Sequence, residues 1–262
     1  MQEGQFDMTG GPRGSANIWN LNHPVDGAMN GLSVEIISPH KASLEINYRS
    51  GDFDLGTLTD TDYDAAGVIS HLSYSTSRGD SSQWEINYFM RLRGEEAEDS
   101  FIDLGVGYLS IENQAGYYDP LIVVDWYTPM AISWAENWNN YTLKYRGLRL
   151  GLRGNVPVEQ GLAFNWAVGF IPSLEADYTG LRYPERPPAD QRPEKIIADG
   201  RAYDGDMSLR FTPRPHLAIA AGYKYLNLET DGEDVGTAWA GSWEQLDTVM
   251  KGPYLKLDYL FN

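Results

Sequence analysis

The sequence contains no cysteine, which excludes disulfide bonds, thiol nucleophiles and cysteine-ligated metal sites. It also has no apolar run near the roughly 18–20 residues that a membrane-spanning helix needs; the run LIVV at 121–124 is far shorter. Helical hydrophobic periodicity is scarce. Basic residues are few, 20 against 37 acidic ones, and the formal net charge is −17. Nucleic acid is therefore not an expected partner, because phosphate binding requires a basic surface.

What the sequence does contain is aromatic residues, glycine and strict alternation. There are 17 Tyr, 8 Trp, 8 Phe and 27 Gly. Aromatic residues favour half-buried strands, and glycine is common in turns. Apolar and polar residues alternate in nine segments, which predicts strands near 32–36, 43–49, 84–92, 101–109, 145–153, 162–170, 203–211, 216–225 and 253–262. SANIWN at 15–20 is a weaker tenth candidate.

The connections between these segments alternate in length. Short, turn-rich connections lie at 38–41, 93–99, 155–160 and 212–215, and long ones at about 50–80, 111–141, 173–200 and 228–251. This spacing places all short turns at one rim, so each strand pairs with its neighbour in sequence. We predict an all-β fold, an up-and-down antiparallel barrel of about ten strands. It forms one domain over 30–262, preceded by a segment at 1–29 that can supply a first strand.

The two faces of the predicted strands differ, and their orientation decides the class of protein. One face is aliphatic or aromatic and the other charged; a soluble barrel or sandwich puts the charges outside, whereas a transmembrane barrel puts them in its lumen. Glycine and alanine among the charges, the recurrence of both signs and the aromatic strand ends favour a transmembrane barrel. The predicted lumen network comprises Glu45, Arg49, Glu85, Arg91, Asp103, Arg149, Arg153, Asp206, Arg210, Lys224, Lys256 and Asp258.

The terminal strand indicates a location. PYLKLDYLFN resembles the assembly signal of bacterial outer-membrane barrels, although Asn262 follows the aromatic Phe261. We therefore expect a Gram-negative outer membrane, with the long loops extracellular and both termini periplasmic. Outer-membrane lipid and lipopolysaccharide are then expected partners. The alternation places Lys144 and Arg146 on the lipid-facing side of their strand near the outer rim. They are candidates for binding lipopolysaccharide phosphates, unless a strand bulge turns them inward.

Two stretches resemble the omptin family of outer-membrane proteases. They are NGLSVEIISPHKASLEINYRSG with the following TDTDYD, and YRGLRLGLRGNVPVEQGLAFNWAVGFIPSLEADY. The resemblance extends over 30–262 at the level of strand order. It implies a ten-stranded barrel and a water held between an Asp pair and an Asp–His dyad. Asp60 and Asp62 match the Asp pair, but Glu175 and Asp177 stand where the dyad is expected, and no histidine does.

This mismatch leaves three hypotheses for the function. The leading one is a non-enzymatic barrel with a structural or partner-binding, adhesin-like role. The second is an omptin-like endopeptidase that uses Asp60, Asp62, Glu175 and Asp177, since paired carboxyls can activate water. In that case His71, which shares a loop with the Asp pair, is the one candidate base, although an exposed loop histidine is the simpler interpretation. The third is a porin-like narrow channel for small solutes, although ten strands leave little free bore.

Two loops carry further candidate sites. The aromatic loop at 119–142 offers Trp126, Tyr127, Trp134 and Trp138 to an extracellular protein or glycan, or else packs over the barrel mouth. No cofactor is expected. Asp60, Asp62 and Asp64 alternate as calcium ligands can, but a solvated acidic loop is the simpler interpretation.

Overall fold

The computed structural model describes residues 3–12, 18–24, 26–38, 41–94, 100–125, 132–133, 137–236 and 241–259. This part of the chain forms one antiparallel sheet of twelve strands. They are β1 (Glu3–Gly11), β2 (Ile18–Pro24), β3 (Gly27–Ser38), β4 (Ala42–Tyr63), β5 (Ile69–Arg93), β6 (Phe101–Asp125), β7 (Ile132–Ser133), β8 (Asn137–Glu159), β9 (Leu162–Arg182), β10 (Arg192–Arg214), β11 (Leu217–Asp234) and β12 (Trp243–Tyr259). Within these ranges, no helix is long and apolar enough to cross a bilayer.

The sheet closes on itself as a barrel. Each long strand from β4 to β12 pairs with its neighbours, and β1 pairs with β12 on one side and with β2 on the other. Because β2 also pairs with β4, hydrogen bonding runs around a ring of ten strands. The predicted fold class, a transmembrane up-and-down antiparallel barrel with a polar lumen, is confirmed. β1, β2 and the start of β3 lie within residues 1–29, so this segment is part of the barrel wall.

The strands are much longer than the sequence analysis predicts. The supposed long connections are mostly strand: β4 continues to Tyr63 before β5 begins at Ile69, and β6 continues to Asp125. Likewise β9 extends to Arg182 and β10 begins at Arg192. The barrel therefore has two halves, one next to the short turns and one that continues beyond it to an open end, the mouth.

In the half next to the short turns, apolar side chains point outward. Leu150 is 51% exposed and Leu257 is 70% exposed, whereas Arg149 is only 7% exposed. Trp166 is half-buried. The predicted orientation, apolar outside and ionic inside, is the one observed. Such a surface suits hydrocarbon.

The predicted lumen charges form an ion-pair network in this half. Arg149 donates from Nε and Nη2 to both carboxylate oxygens of Asp204, at 2.7 and 2.6 Å. The remaining contacts are Arg49–Glu85, Lys224–Glu85, Arg91–Asp103, Arg153 with Asp103, Glu45 and Glu35, Arg210–Asp258, Lys256–Asp258 and the hydroxyl of Tyr254 with Asp206. Since buried ions require partners, the two signs on the charged face neutralise each other.

An aromatic belt marks the end of the apolar surface. It comprises Tyr48, Trp84, Tyr108, Phe170, Tyr203 and Tyr225, all on the outer face. The Tyr48 and Trp84 rings lie 4.5 Å apart, and the Phe170 and Tyr203 rings 5.1 Å. Such belts lie at the membrane–water interface. The belt therefore separates a membrane-spanning half from a half that projects out of the bilayer.

Beyond the belt the polarity of the wall is reversed. Outward residues become polar, as with Asp80, Gln114 and Thr142, while Leu143, Tyr145 and Leu228 point inward and are fully buried. This projecting half is built like a soluble barrel, with an apolar interior. Side chains alternate with period two in both halves, but polar residues face inward in the membrane-spanning half and outward in the projecting half.

The lumen network gives a stability prediction. Arg149→Ala leaves the carboxylate of Asp204 without its bidentate partner in the lumen, so we expect a loss of about 3–5 kcal/mol. Arg201, whose partner is Glu229, is 59% exposed in its side chain on the outer wall, so Arg201→Ala serves as the matched control with no measurable loss. Urea unfolding in lipid bilayers, followed by tryptophan fluorescence, measures both. Equal midpoints for the two variants would contradict the assigned role of the lumen pair.

Candidate functional site at the barrel mouth

Five acidic side chains line the inner wall of the projecting half near the mouth. We call this group the acidic mouth, and it consists of Asp60 and Asp62 on β4, Glu194 on β10, Asp234 on β11 and Glu244 on β12. Their strands come from opposite parts of the sequence and meet only because the barrel closes. All five lie well beyond the aromatic belt, outside the membrane-spanning half.

Asp60 and Asp62 project inward together because they are two residues apart on one strand. Asp60 lies opposite Leu21 on β2, and Asp62 lies between Trp19 on β2 and His71 on β5. Burial raises the pKa of Asp60 to about 6, and the neighbouring charge of Asp62 adds to this effect. Asp60 thus holds a proton more readily than an isolated aspartate does.

Glu194 acts electrostatically on two other members of the acidic mouth. Its charge raises the pKa of both Asp60 and Glu244. Glu194 is 4% exposed and forms an ion pair with Arg182, whose Nε lies 2.5 Å from Oε1. The guanidinium carbon of Arg182 lies 5.9 Å from the ring centre of Trp138. Arg182 neutralises part of this acidic group, and a smaller electrostatic effect on Asp60 comes from His71.

Glu244 is held by two donors. Its Oε2 accepts a hydrogen bond from Nε1 of Trp19 at 3.2 Å, and its Oε1 accepts one from the Ser242 hydroxyl at 2.9 Å. Burial, with smaller contributions from the charges of Asp234 and Glu194, raises the pKa of Glu244 to about 7 despite these hydrogen bonds. Glu244 is therefore partly protonated near neutral pH.

An aromatic layer forms the floor below the acidic mouth. Tyr141 and Tyr178 stack at 5.4 Å, and Tyr117 lies 5.5 Å from Tyr141 and 5.7 Å from Trp138. Leu58, Leu143 and Leu246 fill the space around these rings, and all three are almost completely buried. The layer separates the mouth from the ion-paired lumen in the membrane-spanning half.

A serine–histidine contact lies within this floor. Nε2 of His23 contacts the hydroxyl of Ser77, and Nδ1 lies 3.2 Å from the hydroxyl of Tyr141. Ser77 and His23 are each only 1% exposed. A nucleophile must reach its substrate, so the contact stabilises the core rather than forming a catalytic pair.

The comparisons with known proteins agree with this architecture. No protein-family model and no curated protein sequence matches the chain. Among solved structures, it is similar to the outer membrane protease OmpT from Escherichia coli, with a TM-score of 0.78 and 11% identity over 99% of this chain and 93% of that chain. The translocator domain of the autotransporter NalP from Neisseria meningitidis also matches, with a TM-score of 0.34 and 8% identity over 99% of this chain and 87% of that one.

The chain has the outer-membrane β-barrel fold. An identity of 11% shows the fold alone, so membership of the omptin family stays a prediction. A location in the outer membrane likewise stays a prediction. Which end of the barrel faces the outside is part of the proposal below.

The structure does not bring the four predicted catalytic carboxylates together. Asp60 and Asp62 face the interior. Glu175 and Asp177 lie on the outer face of β9, because they alternate with residues whose side chains are buried, namely Leu174, Ala176 and Tyr178. The sequence pattern predicts a loop in this part of β9, so it does not predict which way Glu175 and Asp177 point. His71 does lie next to Asp62 in the strand pairing.

The predicted calcium ligands are also divided. The carboxylate of Asp64 accepts hydrogen bonds from the backbone nitrogens of Ala66 and Val68, at 2.9 and 2.7 Å, and so shapes the β4–β5 turn. Asp60 and Asp62 point into the barrel. In the part of the chain that the structure describes, no three acidic or histidine side chains form a metal-binding group.

Of the aromatic candidates, Trp138 is buried rather than exposed. It is 8% exposed, and its Nε1 donates to the hydroxyl of Ser75 at 2.8 Å. It belongs to the floor because a register shift between β6 and β8 turns it inward. Trp126, Tyr127 and Trp134 lie outside the described residues.

Lys144 and Arg146 lie on the outer face of β8, just beyond the aromatic belt. Lys144 pairs with Glu112 at 3.1 Å. Arg146 is exposed and lies opposite Glu175 on β9. The inward alternative for these two cations is therefore wrong.

The sequence analysis missed Arg182, Glu194, Glu244 and Trp19. Glu194 and Glu244 lie on strands that it took for connections at 173–200 and 228–251. A signal was present: alternation continues through Glu194, Ile196 and Ala198, which are all buried between exposed residues. Small and polar residues on both faces hid this pattern.

The raised pKa of Glu244 gives a pH prediction. A folded pKa of about 7 against an ordinary value of 4.5 means that stability decreases as pH rises through this window. Glu244→Gln removes this effect, so we expect the variant to gain about 2–3 kcal/mol over the wild type between pH 5 and pH 8. Urea midpoints at both pH values measure the gain, with Glu175→Gln on the outer face as the control. Parallel pH profiles for all three proteins would refute the assignment.

Proposed function

We propose that this protein is a non-enzymatic outer-membrane barrel whose mouth, exposed at the cell surface, binds the cationic groups of a partner. The partner class is an extracellular protein or peptide that presents lysine or arginine side chains. The observation that carries this proposal is the excess of inward carboxylates over cations among the described residues of the mouth, where Arg182 and, more weakly, His71 supply the opposing charge.

The geometry of the acidic mouth supports a large cation rather than a metal ion. Its acids are distributed over β4, β10, β11 and β12 instead of converging on one point. Ammonium and guanidinium groups carry several donors and suit a wide set of acceptors. The side-chain oxygen of Asn139, which is 2% exposed, has no hydrogen-bond partner and adds one more acceptor near Arg182.

The raised proton affinity of the acidic mouth further supports cation binding. Asp60 and Glu244 have raised pKa values because burial and neighbouring acids disfavour their charged forms. A bound cation relieves this repulsion, so part of the cost of charging the mouth is recovered on binding. The aromatic floor excludes water beneath the site and strengthens the attraction.

An endopeptidase is the second candidate function. Asp60 and Asp62 are adjacent, the pKa of Asp60 is raised to about 6, and His71 is the nearest candidate base. Carboxyl pairs with one raised pKa can activate water. Against this candidate stands the outward orientation of Glu175 and Asp177, which leaves the pair without the opposing groups that the omptin resemblance implies.

Two further expectations stay proposals. Lys144 and Arg146 are positioned to contact lipopolysaccharide phosphates, because both project from the outer wall just beyond the aromatic belt. A narrow channel is disfavoured, because the ion-pair network and the aromatic floor both fill the bore.

Peptide binding tests the acidic mouth. We expect a fluorescent oligolysine peptide to bind the refolded protein, and Asp60→Asn/Asp62→Asn to weaken binding about tenfold, which is roughly 1.4 kcal/mol. Fluorescence polarisation at low salt measures this, and rising salt should weaken wild-type binding. Glu175→Gln/Asp177→Asn is the matched control, since it removes the same charge from the outer wall. If both double variants bind alike, the site is not at the mouth.

Mass spectrometry of the same mixtures separates binding from hydrolysis. The binding proposal predicts an intact peptide after prolonged incubation with wild-type protein in the presence of lipopolysaccharide. Peptide turnover that disappears in Asp62→Asn would establish the endopeptidase instead.

Planar bilayers test the channel. We expect no steady single-channel conductance from the wild type, because the lumen charges are paired and the floor is apolar. Reproducible conductance steps at neutral pH would contradict the closed bore.

A further inference from the structure

Among the described residues, the membrane-spanning half has one strand fewer than the projecting half. In the projecting half, β1 lies between β12 and β2 and pairs with both. The pairing of β1 with β12 extends down to Glu3, opposite Lys251. Closer to the short turns, and within the described ranges, β12 pairs only with β11 and β3 only with β4. We call the space between these two edges the slot, which is bordered by residues 30–36 of β3 and 254–258 of β12.

Side chains on both faces of the two bordering strands are exposed. On the outer face, Leu255 is 83% exposed and Leu32 is 69% exposed. On the lumen face, Glu35 and Lys256 are exposed as well, whereas Arg149, on a strand that is paired on both sides, is buried. Exposure of both faces indicates an edge without a neighbouring strand. Such an edge is costly in hydrocarbon, because lipid offers no groups that hydrogen bond to the backbone.

The two edges of the slot do not suit each other as partners. β3 and β12 both run from the mouth toward the short turns, so a direct pairing would be parallel in a sheet that is otherwise antiparallel. Directly above the slot, β1 also holds β12 and β2 one strand apart. A second barrel in the same membrane orientation presents the same two descending edges, so a contact between copies would again be parallel. The slot therefore requires a strand that runs in the opposite direction, toward the mouth.

The register of β1 shows that one such strand fits both edges. Continued downward in this register, a residue opposite Leu257 would also lie opposite Leu32, and the next would lie between Lys256 and Gly31. Leu257 and Leu32 are exposed on the outer face. Lys256 contacts Asp258, and Gly31 pairs with Arg49, so both belong to the lumen face. Because the two edges agree in which residues face lipid, a single strand can pair with both without exchanging its faces.

We propose that the slot binds one extended strand of a separate polypeptide chain, which enters from the rim with the short turns and runs antiparallel to β3 and β12. A separate chain supplies it because each strand from β4 to β11, apart from the short β7, already has a neighbour on both sides. In strand addition of this kind, backbone hydrogen bonds provide affinity and alternate side chains provide specificity. About nine residues suffice, the length of a tilted transmembrane strand. This inference is independent of cation binding at the mouth.

The side chains around the slot define the chemistry of the bound strand. Its outward residues lie in hydrocarbon and are apolar. On the lumen side, the charges that border the slot already have partners: Glu35 lies 2.6 Å from Arg153, and Asp258 lies 3.2 Å from Lys256 and 3.6 Å from Arg210. A further charge there would be buried without a partner, so the inward residues are small and uncharged. The expected ligand thus alternates residues such as leucine and serine.

Cysteine cross-linking locates the bound strand. Because the chain contains no cysteine, an introduced one reports a single position. The probe is a peptide of about nine alternating leucines and serines with cysteine in place of its central leucine, mixed with refolded protein in phosphatidylethanolamine nanodiscs under mild oxidation. We expect Leu257→Cys and Leu32→Cys to yield about tenfold more peptide disulfide than Leu150→Cys. Leu150 is the matched control, since it also faces lipid but lies on a strand that is paired on both sides.

The same probe reports the direction of the bound strand. A strand that runs toward the mouth has its amino end beside Ile36 and its carboxyl end beside Asn30. We therefore expect a peptide with cysteine near its amino end to cross-link to Ile36→Cys, and one with cysteine near its carboxyl end to cross-link to Asn30→Cys. The reverse preference would overturn the proposal.

Binding to the wild type requires no substitution, so the test does not depend on how the variants fold. We expect fluorescence polarisation to show that the alternating peptide binds about tenfold more tightly than a peptide of the same composition in which all leucines precede all serines. Equal affinities, or equal cross-linking at Leu150→Cys, would overturn the proposal. So would an internal disulfide in Leu32→Cys/Leu257→Cys without peptide, because the edges would then meet directly. Disulfide-linked dimers of the single variants would identify a second copy as the occupant instead.

Discussion

Hydrogen bonding between neighbouring strands is the constraint on which the whole molecule depends. In hydrocarbon no water can satisfy backbone amides and carbonyls, so a sheet can cross the bilayer only if its first and last strands join. The ring observed here closes in the projecting half, where β1 joins β12 to β2 and β2 joins β4. Closure brings β4 opposite β10 to β12, although these strands are far apart in sequence. The acidic mouth is therefore a direct product of ring closure.

Once the ring is closed, the surroundings decide which face of each strand is polar. Next to the short turns the surroundings are hydrocarbon, and charges such as Arg149 and Asp204 are retained inside because each has a partner. Beyond the aromatic belt the surroundings are water, and rings such as Tyr141 and Tyr178 take the interior instead. A single strand such as β8 contains both arrangements. This explains how a chain of average composition, with mean hydropathy −0.42, forms a membrane protein.

The membrane-spanning half could be predicted from the sequence because its alternation is between residues of opposite character. In β8, Leu148, Leu150 and Leu152 alternate with Gly147, Arg149 and Gly151, which leaves little ambiguity. The projecting half was hidden because its alternation is weaker and reversed: Ser73, Ser75 and Ser77 are the buried residues of β5 there. Serine and glycine in a strand resemble a loop in any pattern based on hydrophobicity. In a loop, side chains do not alternate between two faces, so the outward positions of Glu175 and Asp177 could not be predicted.

The site depends on information that no single segment contains. Asp60 and Asp62 were identified from a local motif, but Glu194, Glu244 and Arg182 become relevant only through pairings across the barrel. The partner class follows from their balance of charge, which is a property of the assembled ring.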